Sequence, residues 1–269
     1  MTINGLVTAD PWTDAQVGRG LGVPVAIGGR ITPEALLGGH RRAIFCQPRC
    51  SPEEIARNTE IYTPDIEAGD IAVLPGDGNP YATFWWSPAE RYVIPVDHVH
   101  MGRTLRKVIR GSDWVTTLDR DFDGVIANCR ADRFPRWITD EMVVALRVLY
   151  EAGWLHTAEV WSGGELIGGL FGCVIGNVFI MESAFHTVPH AAKVAIVDLA
   201  SRASRSGLTL LDAEVKTDYT VRLGAVPMPR DDYLIQLGTS AQPKAVYAGP
   251  ESVHRLLTEQ AHPREYITP

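Results

Sequence analysis

Two apolar runs restrict the fold of this chain more than any other feature. Residues 165–175 (ELIGGLFGCVI) and 177–183 (NVFIMES) meet at Gly176-Asn177. Long apolar runs that end at Gly and Asn are typical of neighbouring strands joined by a tight turn. A shorter strand-like run, residues 157–161 (TAEVW), precedes them across Ser162-Gly163-Gly164. The pattern predicts an antiparallel meander of strands.

Two segments with sequence patterns typical of helices flank this meander. Residues 138–151 have Thr139 as an N-cap, acids in the first turn and Gly153 as a stop. Residues 191–206 place alanines and a leucine on one face, and residues 208–215 return as a strand. The order helix, meander, helix, strand predicts an α+β domain in which helices cross an antiparallel sheet, as in acyltransferases.

The length, net charge and hydropathy of the chain limit the class of protein that it can be. A chain of 269 residues can form one large domain or two modest ones. It contains no run of about 20 apolar residues, and its N-terminus lacks a basic stretch followed by an apolar one. We therefore expect a cytoplasmic protein that does not enter a membrane. The net charge of −7 argues against a broad positive surface but allows a local basic patch.

Two further segments carry weaker expectations. Cys46 and Cys50 form a C-x3-C pair without a second pair at zinc spacing, so we expect no metal. Residues 46–80 are rich in Pro, Gly and acids, which predicts a long irregular connection or lid. The chain beyond Gly238 is expected to be peripheral.

Residues 100–110 (HMGRTLRKVIR) concentrate positive charge. Their spacing of i, i+3, i+4 and i+7 puts the four cations on one face of a helix. Like charges so placed oppose helix formation. Either the phosphates of a nucleic acid or acids elsewhere in the chain would balance them. The cations are Arg103, Arg106, Lys107 and Arg110.

Three acids lie in strand-like segments. Glu182 follows four apolar residues and precedes Phe185, a setting suited to proton chemistry or to an ammonium group. Asp212 and Glu214 lie two apart in residues 210–217 (LLDAEVKT), so strand alternation predicts both on one face. On a buried face the pair would hold their pKa values apart and one could act as a base. At an exposed strand edge all three acids would simply be solvated.

Taken together, these segments resemble the leucyl/phenylalanyl-tRNA–protein transferases, bacterial enzymes that move an amino acid from an aminoacyl-tRNA to an acceptor amine. Each stretch is short, but their order and spacing are specific. The resemblance runs from about Gly28 to Leu237, and it is carried by residues 28–45, 84–94, 100–107, 136–161, 165–185, 191–196, 210–215 and 222–234.

The resemblance implies an architecture and a reaction. It implies a small N-terminal α/β domain (residues 1–95, with the 46–80 loop), an acetyltransferase-like (GNAT-like) catalytic domain (96–240) and a tail (241–269). The donor amino acid is esterified to the terminal ribose of the tRNA, so its carbonyl is already activated and no cofactor is needed. The protein has to position both substrates, help the acceptor amine lose a proton and stabilise the oxyanion.

The same resemblance implies residue roles. Asp212 and Glu214 would support proton transfer, and Glu182 would lie near the α-amino group of the donor. The basic helix would meet the acceptor arm of the tRNA. The remaining implied residues form the cleft and the amino-acid pocket by stacking and packing, and they are Trp85, Trp86, Trp161, Ala184 and Phe185. For each tryptophan, packing in the core is the alternative.

Departures from the family pattern lead to two hypotheses. The family usually has Gln where this chain has Glu214, Met where it has Ala184, and a short loop in place of residues 46–80. A smaller residue widens the pocket, so the donor is expected to differ from leucine or phenylalanine. A changed cleft rim favours a small-molecule acceptor, such as a peptide-like or nucleoside natural product in antibiotic biosynthesis, over a protein N-terminus.

Two other functions fit parts of the sequence. An acyl-CoA N-acetyltransferase would share the fold, but the helix at residue 191 is preceded by HTVPHAAK and not by a Gly-rich pyrophosphate turn. An inactive homologue that only binds charged tRNA would explain the changes at Glu214 and Ala184. Survival of activity after ribonuclease treatment would indicate the first alternative.

Overall fold

The chain folds into two compact units that each draw on separate stretches of sequence. The computed structural model describes residues 11–12, 23–48, 51–131, 137–239 and 242–259. The first unit comprises the chain up to Ala89 together with Arg130–Ala152 and Pro229–Ile235. The second comprises Glu90–Cys129, Gly153–Met228 and the chain from Gln236 onward. The domain boundaries predicted after residues 95 and 240 stay predictions.

The first unit is built on a four-stranded sheet with the order β2-β4-β1-β3. Strand β1 pairs parallel to β3 and antiparallel to β4. Ile27, Ile71 and Phe84 form an apolar cluster on this sheet. The elements are β1 (Ala26–Gly28), α1 (Pro33–His40), β2 (Phe45–Pro48), α2 (Pro52–Glu67), β3 (Ala72–Leu74), β4 (Thr83–Trp86), α5 (Asp140–Glu151) and α8 (Arg230–Leu237).

The prediction of an irregular loop over residues 46–80 is wrong. The segment contains the end of β2, the 16-residue helix α2 and strand β3. Ser51 caps α2 by accepting the Glu54 N–H at 3.1 Å, and Pro52 occupies the first turn, where proline costs no hydrogen bond. The proline and acidic residues that indicated a loop are therefore largely the start of a helix.

The second unit is built on an eight-stranded sheet with the order β11-β5-β10-β9-β8-β7-β6-β12. A large apolar core, which includes Leu170, Phe179 and Leu199, packs on it. The elements are β5 (Glu90–Pro95), α3 (Arg103–Arg110), β6 (Val115–Leu118), α4 (Phe122–Arg130), β7 (Leu155–Ser162), β8 (Glu165–Ile175), β9 (Val178–His186), α6 (Ala191–Arg205), β10 (Leu210–Asp212), α7 (Asp218–Arg222), β11 (Val226–Pro229), β12 (Glu251–Ser252) and α9 (Leu256–Glu259).

The predicted meander and its flanking helices are confirmed. Strands β7, β8 and β9 pair antiparallel in succession. Thr139 caps α5 by accepting the Met142 N–H at 3.1 Å. Helix α6 connects β9 to β10, and these two strands are parallel, with Asp212 opposite Ile180. The mixed α+β class is therefore confirmed, whereas strand β10 ends at Asp212 and not at residue 215 as predicted.

The expectation that the chain beyond Gly238 is peripheral is wrong for residues 251–256. Strand β12 forms the edge of the eight-stranded sheet by pairing with β6. Val253 and Leu256 have no exposed surface. Arg205 of α6 also makes a bidentate ion pair with Glu251, in which both N···O distances are 2.8 Å. This part of the tail belongs to the fold of the second unit.

Two expectations concern features that the structure describes only in part. Cys50 lies outside the described residues, so the C-x3-C pair stays a prediction. The N-terminal residues 1–10 also lie outside them. Among the helices that the structure describes, none combines the length and the apolar character required to cross a membrane.

Candidate active site

Asp212 is the centre of a buried ion cluster. It has no exposed surface and lies at the end of β10, between Val93 of β5 and Ile180 of β9. Its Oδ2 atom accepts hydrogen bonds from Nε of Arg91, at 3.1 Å, and from Nη2 of the same guanidinium. A buried carboxylate held by an arginine in this way has its orientation set by the guanidinium. This arrangement differs from the predicted pair of mutually repelling acids.

Glu214 is part of the same cluster, but not by strand alternation. Its backbone has φ = 60°, which is unusual for a residue other than glycine. Asp212 Oδ1 accepts the Glu214 N–H at 2.7 Å and stabilises this turn. The side chain, 15% exposed, brings Oε1 to 3.9 Å from Arg91 Nη2. The alternation argument is therefore wrong, yet both acids face one buried guanidinium, and Glu214 is the one that reaches solvent.

Glu182 lies at an irregularity in β9. Opposite β8, Ser183 pairs with Phe171 and Met181 pairs with Gly172, which leaves Glu182 as the extra residue of a β-bulge. Bulges redirect a side chain and are frequent beside active sites. Burial raises the pKa of the Cys173 thiol well above its usual value, and the Glu182 charge raises it further. Glu182 therefore projects its carboxylate towards the interior side of the sheet, where Cys173 is buried.

The register brings these acids to one end of a parallel strand pair. Asp212 is the last residue of β10 and lies opposite Ile180. Because β9 and β10 run in the same direction, Glu182 and Glu214 both lie two residues beyond this point. In open sheets with parallel strands, ligands commonly bind where the carboxyl ends of such strands separate.

Ala184 and Phe185 continue β9 after the bulge. Ala184 is half-buried and packs on the main core of the second unit, opposite Leu170. Phe185 is buried and lies beside Gly169, where an added Cβ atom would be 3.1 Å from its ring. Adjacent residues of a strand point to opposite faces of the sheet, so Ala184 faces the main core, Phe185 faces the other side, and the two do not form a single wall.

Trp161 lies near the end of β7 with its indole held on two sides. Its Nε1 donates to the Thr117 hydroxyl at 2.8 Å. The guanidinium of the exposed Arg120 lies 4.4 Å from the centre of the ring. A half-exposed indole with an arginine stacked on it is a surface on which an unpaired base can stack.

Trp85 and Trp86 belong to the first unit and differ from each other. Trp85 has no exposed surface, and its Nε1 donates to Gly28 O at 2.9 Å. It is a core residue without a free face for a ligand, so the prediction that it contacts substrate is wrong. Trp86 is half-exposed, and among the described residues its Nε1 has no hydrogen-bond partner. Trp86 therefore stays a candidate.

The basic segment forms helix α3, as predicted. Leu105 and Ile109 point into the core. Arg106 is half-buried and its Nε donates to Met101 O at 3.1 Å. The three remaining cations, Arg103, Lys107 and Arg110, are exposed, and no carboxylate of the described chain lies within ion-pair distance of them. Unbalanced exposed cations on one helix face favour an external polyanion.

Sequence reasoning missed two residues of this region, Arg91 and Glu159. Arg91 is 121 positions from Asp212, and no local pattern reveals such a pair. The sequence does contain a pattern that points to Glu159. Thr157, Glu159 and Trp161 alternate along β7, so they lie on one face of an interior strand and make that face polar. Burial raises the pKa of Glu159 to about 7, against the lowering effect of its hydrogen bonds.

Comparison with known proteins agrees with the resemblance. The family model described as leucyl/phenylalanyl-tRNA protein transferase matches residues 93–238. A leucyl/phenylalanyl-tRNA–protein transferase of Dinoroseobacter shibae is 37% identical over 216 residues, which cover 80% of this chain and 84% of the relative. One from Nitratidesulfovibrio vulgaris is 36% identical over 214 residues, covering 78% and 79%. A solved Bacteroides thetaiotaomicron protein of unknown function has a TM-score of 0.38 at 11% identity over 57% of each chain.

The chain is therefore an aminoacyltransferase that depends on aminoacyl-tRNA. It belongs to the leucyl/phenylalanyl-tRNA protein transferase family. The matched segment contains Asp212, Glu214, Glu182, Trp161 and helix α3. The predicted family and enzyme class are confirmed. The predicted small-molecule acceptor and the role in antibiotic biosynthesis find no support in these relatives.

Proposed function

We propose that this enzyme transfers an amino acid from aminoacyl-tRNA to the α-amine of a protein or peptide N-terminus. The observation that carries the proposal is the buried Asp212–Arg91–Glu214 cluster at the end of β10, whose two acids lie inside the segment that matches the family. The relatives that resemble this chain over most of its length are named as transferases to protein. This acceptor therefore replaces the small molecule expected from the sequence.

The proposed chemistry converts an ester into an amide. The nitrogen of the acceptor amine attacks the ester carbonyl, a C–N bond forms, and the bond from the carbonyl carbon to the ribose oxygen breaks. One proton leaves the nitrogen and one is delivered to the ribose oxygen. Glu214, the partly exposed member of the cluster, accepts a hydrogen bond from the amine and orients it for attack. Asp212 and Arg91 fix the turn that carries Glu214.

We assign Glu182 to the α-ammonium group of the donor amino acid. The bulge in β9 removes this residue from the regular alternation of the strand. A half-buried carboxylate next to an apolar wall suits a ligand that has a positive charge and an apolar side chain close together. Phe185, which lies on the face of the sheet opposite to that of Ala184, would form that wall.

The unit β9–α6–β10, with its parallel strands and its bulge, also supports an acetyltransferase-like (GNAT-like) catalytic domain. The acyl-CoA alternative requires a turn that binds pyrophosphate at the start of α6. That helix begins after His190, which has φ = 74° and makes no side-chain cap. A bulky imidazole at this position leaves little room for a pyrophosphate to approach the backbone.

The acceptor is tested by offering peptides and small amines in competition. We expect a peptide that begins with Arg or Lys to gain one amino-acid residue, observed by mass spectrometry. The same peptide with an acetylated N-terminus is the control and should gain nothing. Faster transfer to nucleoside or peptide-like natural products than to the free peptide would contradict the proposed acceptor and restore the small-molecule hypothesis.

Ala184 gives a prediction about the donor. We propose that its small side chain leaves a deeper pocket, so that a large donor such as phenylalanine is favoured over leucine. The change A184M adds about three heavy atoms to the wall and is expected to lower the Phe-to-Leu ratio of kcat/KM by about tenfold, since one methylene is worth about 10- to 200-fold in discrimination. The variant A184S is the control of similar size. An unchanged ratio in A184M would remove Ala184 from the pocket.

A further inference from the structure

Ser183 of β9 has a buried hydroxyl that the fold itself does not use. Only 8% of the residue is exposed. Among the residues that the structure describes, its Oγ atom has no hydrogen-bond partner. A hydroxyl that is buried without a partner destabilises a folded chain, and such groups are rare in native proteins. A stabilising contact within the fold therefore does not explain this serine.

The strand registers place Ser183 on the same face of the eight-stranded sheet as Asp212. Ser183 lies opposite Phe171 of β8, and Ile180 lies opposite Cys173. Phe171 and Cys173 are two residues apart, so they point to one face of the sheet, and the residues opposite them do the same. Asp212 lies opposite Ile180 and shares that face. Ser183 is therefore one strand and two residues away from Asp212, a Cα separation of about 8 Å.

Ser183 directly follows Glu182, the extra residue of the bulge in β9. Bulges redirect side chains, so neighbours at a bulge can act on one face of the sheet. Burial and, after it, the Glu182 charge raise the pKa of the Cys173 thiol, which lies on the face of Ser183. The carboxylate of Glu182 and the hydroxyl of Ser183 are thus close enough to contact neighbouring groups of a single ligand.

The chemistry of the reaction requires a hydrogen-bond donor that the acids cannot provide. Attack by the amine converts the ester carbonyl oxygen into an oxyanion, which hydrogen-bond donors stabilise. Ionised carboxylates such as those of Asp212, Glu214 and Glu182 only accept hydrogen bonds. The guanidinium of Arg91 directs Nε and Nη2 at Asp212. The hydroxyl of Ser183 is a neutral donor on the same face.

We propose that Ser183 is a catalytic residue whose hydroxyl donates a hydrogen bond to the ester carbonyl oxygen of aminoacyl-tRNA and to the oxyanion that forms there. This inference rests on the proposed function, in which Glu182 binds the α-ammonium group of the donor. Only the α-carbon and the carbonyl carbon separate that ammonium nitrogen from the carbonyl oxygen, which suits two consecutive residues.

The step needs no further reactant. As the C–N bond forms, one electron pair of the carbonyl double bond moves to the oxygen. It returns to the carbon when the bond to the ribose oxygen breaks. Ser183 keeps its own proton throughout and stabilises the charge by hydrogen bonding alone.

The variant S183A tests this role because it removes only the hydroxyl oxygen. We expect kcat to fall by about 100-fold, the lower end of the range for one oxyanion donor. KM for aminoacyl-tRNA should change by less than about threefold, since the contact strengthens in the transition state. The melting temperature should not fall, because the hydroxyl has no partner within the described fold. A slower enzyme that is at least as stable as the parent is the expected result.

The variant S183C is the control of similar size. Its thiol is a weak donor, so kcat is expected to fall by at least about tenfold, and this variant decides the question if S183A does not fold. Both variants should slow transfer from leucyl-tRNA and phenylalanyl-tRNA by the same factor, because the two esters have the same carbonyl group. A changed ratio between the two donors would show that Ser183 shapes the side-chain pocket and would overturn the inference.

The parent enzyme separates failure of this inference from failure of the proposed function. If the parent enzyme does not acylate the free peptide, the proposed function is wrong. If the parent transfers and both variants match its kcat, only the role of Ser183 is overturned. A raised KM with unchanged kcat would assign Ser183 to ground-state binding, and a lowered melting temperature that accounts for the lost rate would assign it to the fold. Either result would also overturn the inference.

Discussion

Transfer by the D212N variant is expected to fall by at least about 100-fold in kcat, in the range observed when proton-transfer machinery is removed. Asp212 accepts two hydrogen bonds from Arg91 and one from the Glu214 N–H. The neutral side chain of asparagine does not supply the negative charge. Its N–H₂ group is a hydrogen-bond donor and would face the guanidinium, which also only donates. Glu214 then loses the support of its left-handed turn. The measurement is a single-turnover rate with saturating charged tRNA.

Controls are needed because D212N also leaves Arg91 buried without its counter-charge, which costs about 3–5 kcal/mol in comparable pairs. D212E keeps the charge and shifts it by one methylene, so it should fold and still lose most of the rate. E214Q introduces the amide that is usual in the family. It should keep at least about a tenth of the rate, because the amide oxygen still accepts a hydrogen bond from the amine. A folded D212E enzyme with the parent rate would contradict the role of the cluster.

Reversing the three exposed cations of α3 is expected to weaken tRNA binding by more than about 100-fold at low salt. Each lysine or arginine that contacts a phosphate contributes about one unit to the slope of log K against log salt. The triple variant R103E/K107E/R110E should therefore have a slope lower by about two to three. Arg106, which is fixed by Met101 O, is left unchanged so that the helix start is preserved.

A matched single substitution separates this helix from net charge. K107E and R57E change the charge of the protein equally, and Arg57 is an exposed residue of α2 in the first unit. Only K107E should lower the affinity for tRNA. Transfer from 3′-aminoacyl-adenosine should be unaffected by either change, since that donor has no acceptor arm. Equal effects of K107E and R57E would show that only the overall charge matters.

Local signals predicted the elements that surround the site. The N-cap at Thr139, the glycine turn at Gly176 and the spacing of the alanines in α6 each act within one turn of chain, so they can be read directly. Helix α3 was predicted from charge spacing in the same way. The acids Glu182, Asp212 and Glu214 were also found, because carboxylates in apolar strands are rare.

The arrangement of those acids could not be read from the sequence. Glutamate seldom adopts a positive φ, and the hydrogen bond from its own N–H to Asp212, together with the one from the Tyr92 N–H to its carbonyl oxygen, holds Glu214 in that conformation. Arg91, which organises both acids, is distant in sequence. The helix α2 was missed because Pro52 follows its cap and Pro64 lies inside it, and both indicate a loop when read alone.

The central claim is that this chain uses aminoacyl-tRNA to acylate an amine, and one measurement tests it most directly. The purified protein is incubated with a pool of charged tRNAs and a peptide that begins with arginine. The mass of the peptide is then measured by mass spectrometry, in one reaction with the intact tRNA pool and in another with a pool first treated with ribonuclease. We expect a gain of one amino-acid residue that ribonuclease abolishes. A peptide that stays unmodified with every charged tRNA, or a gain that survives ribonuclease, would contradict the account.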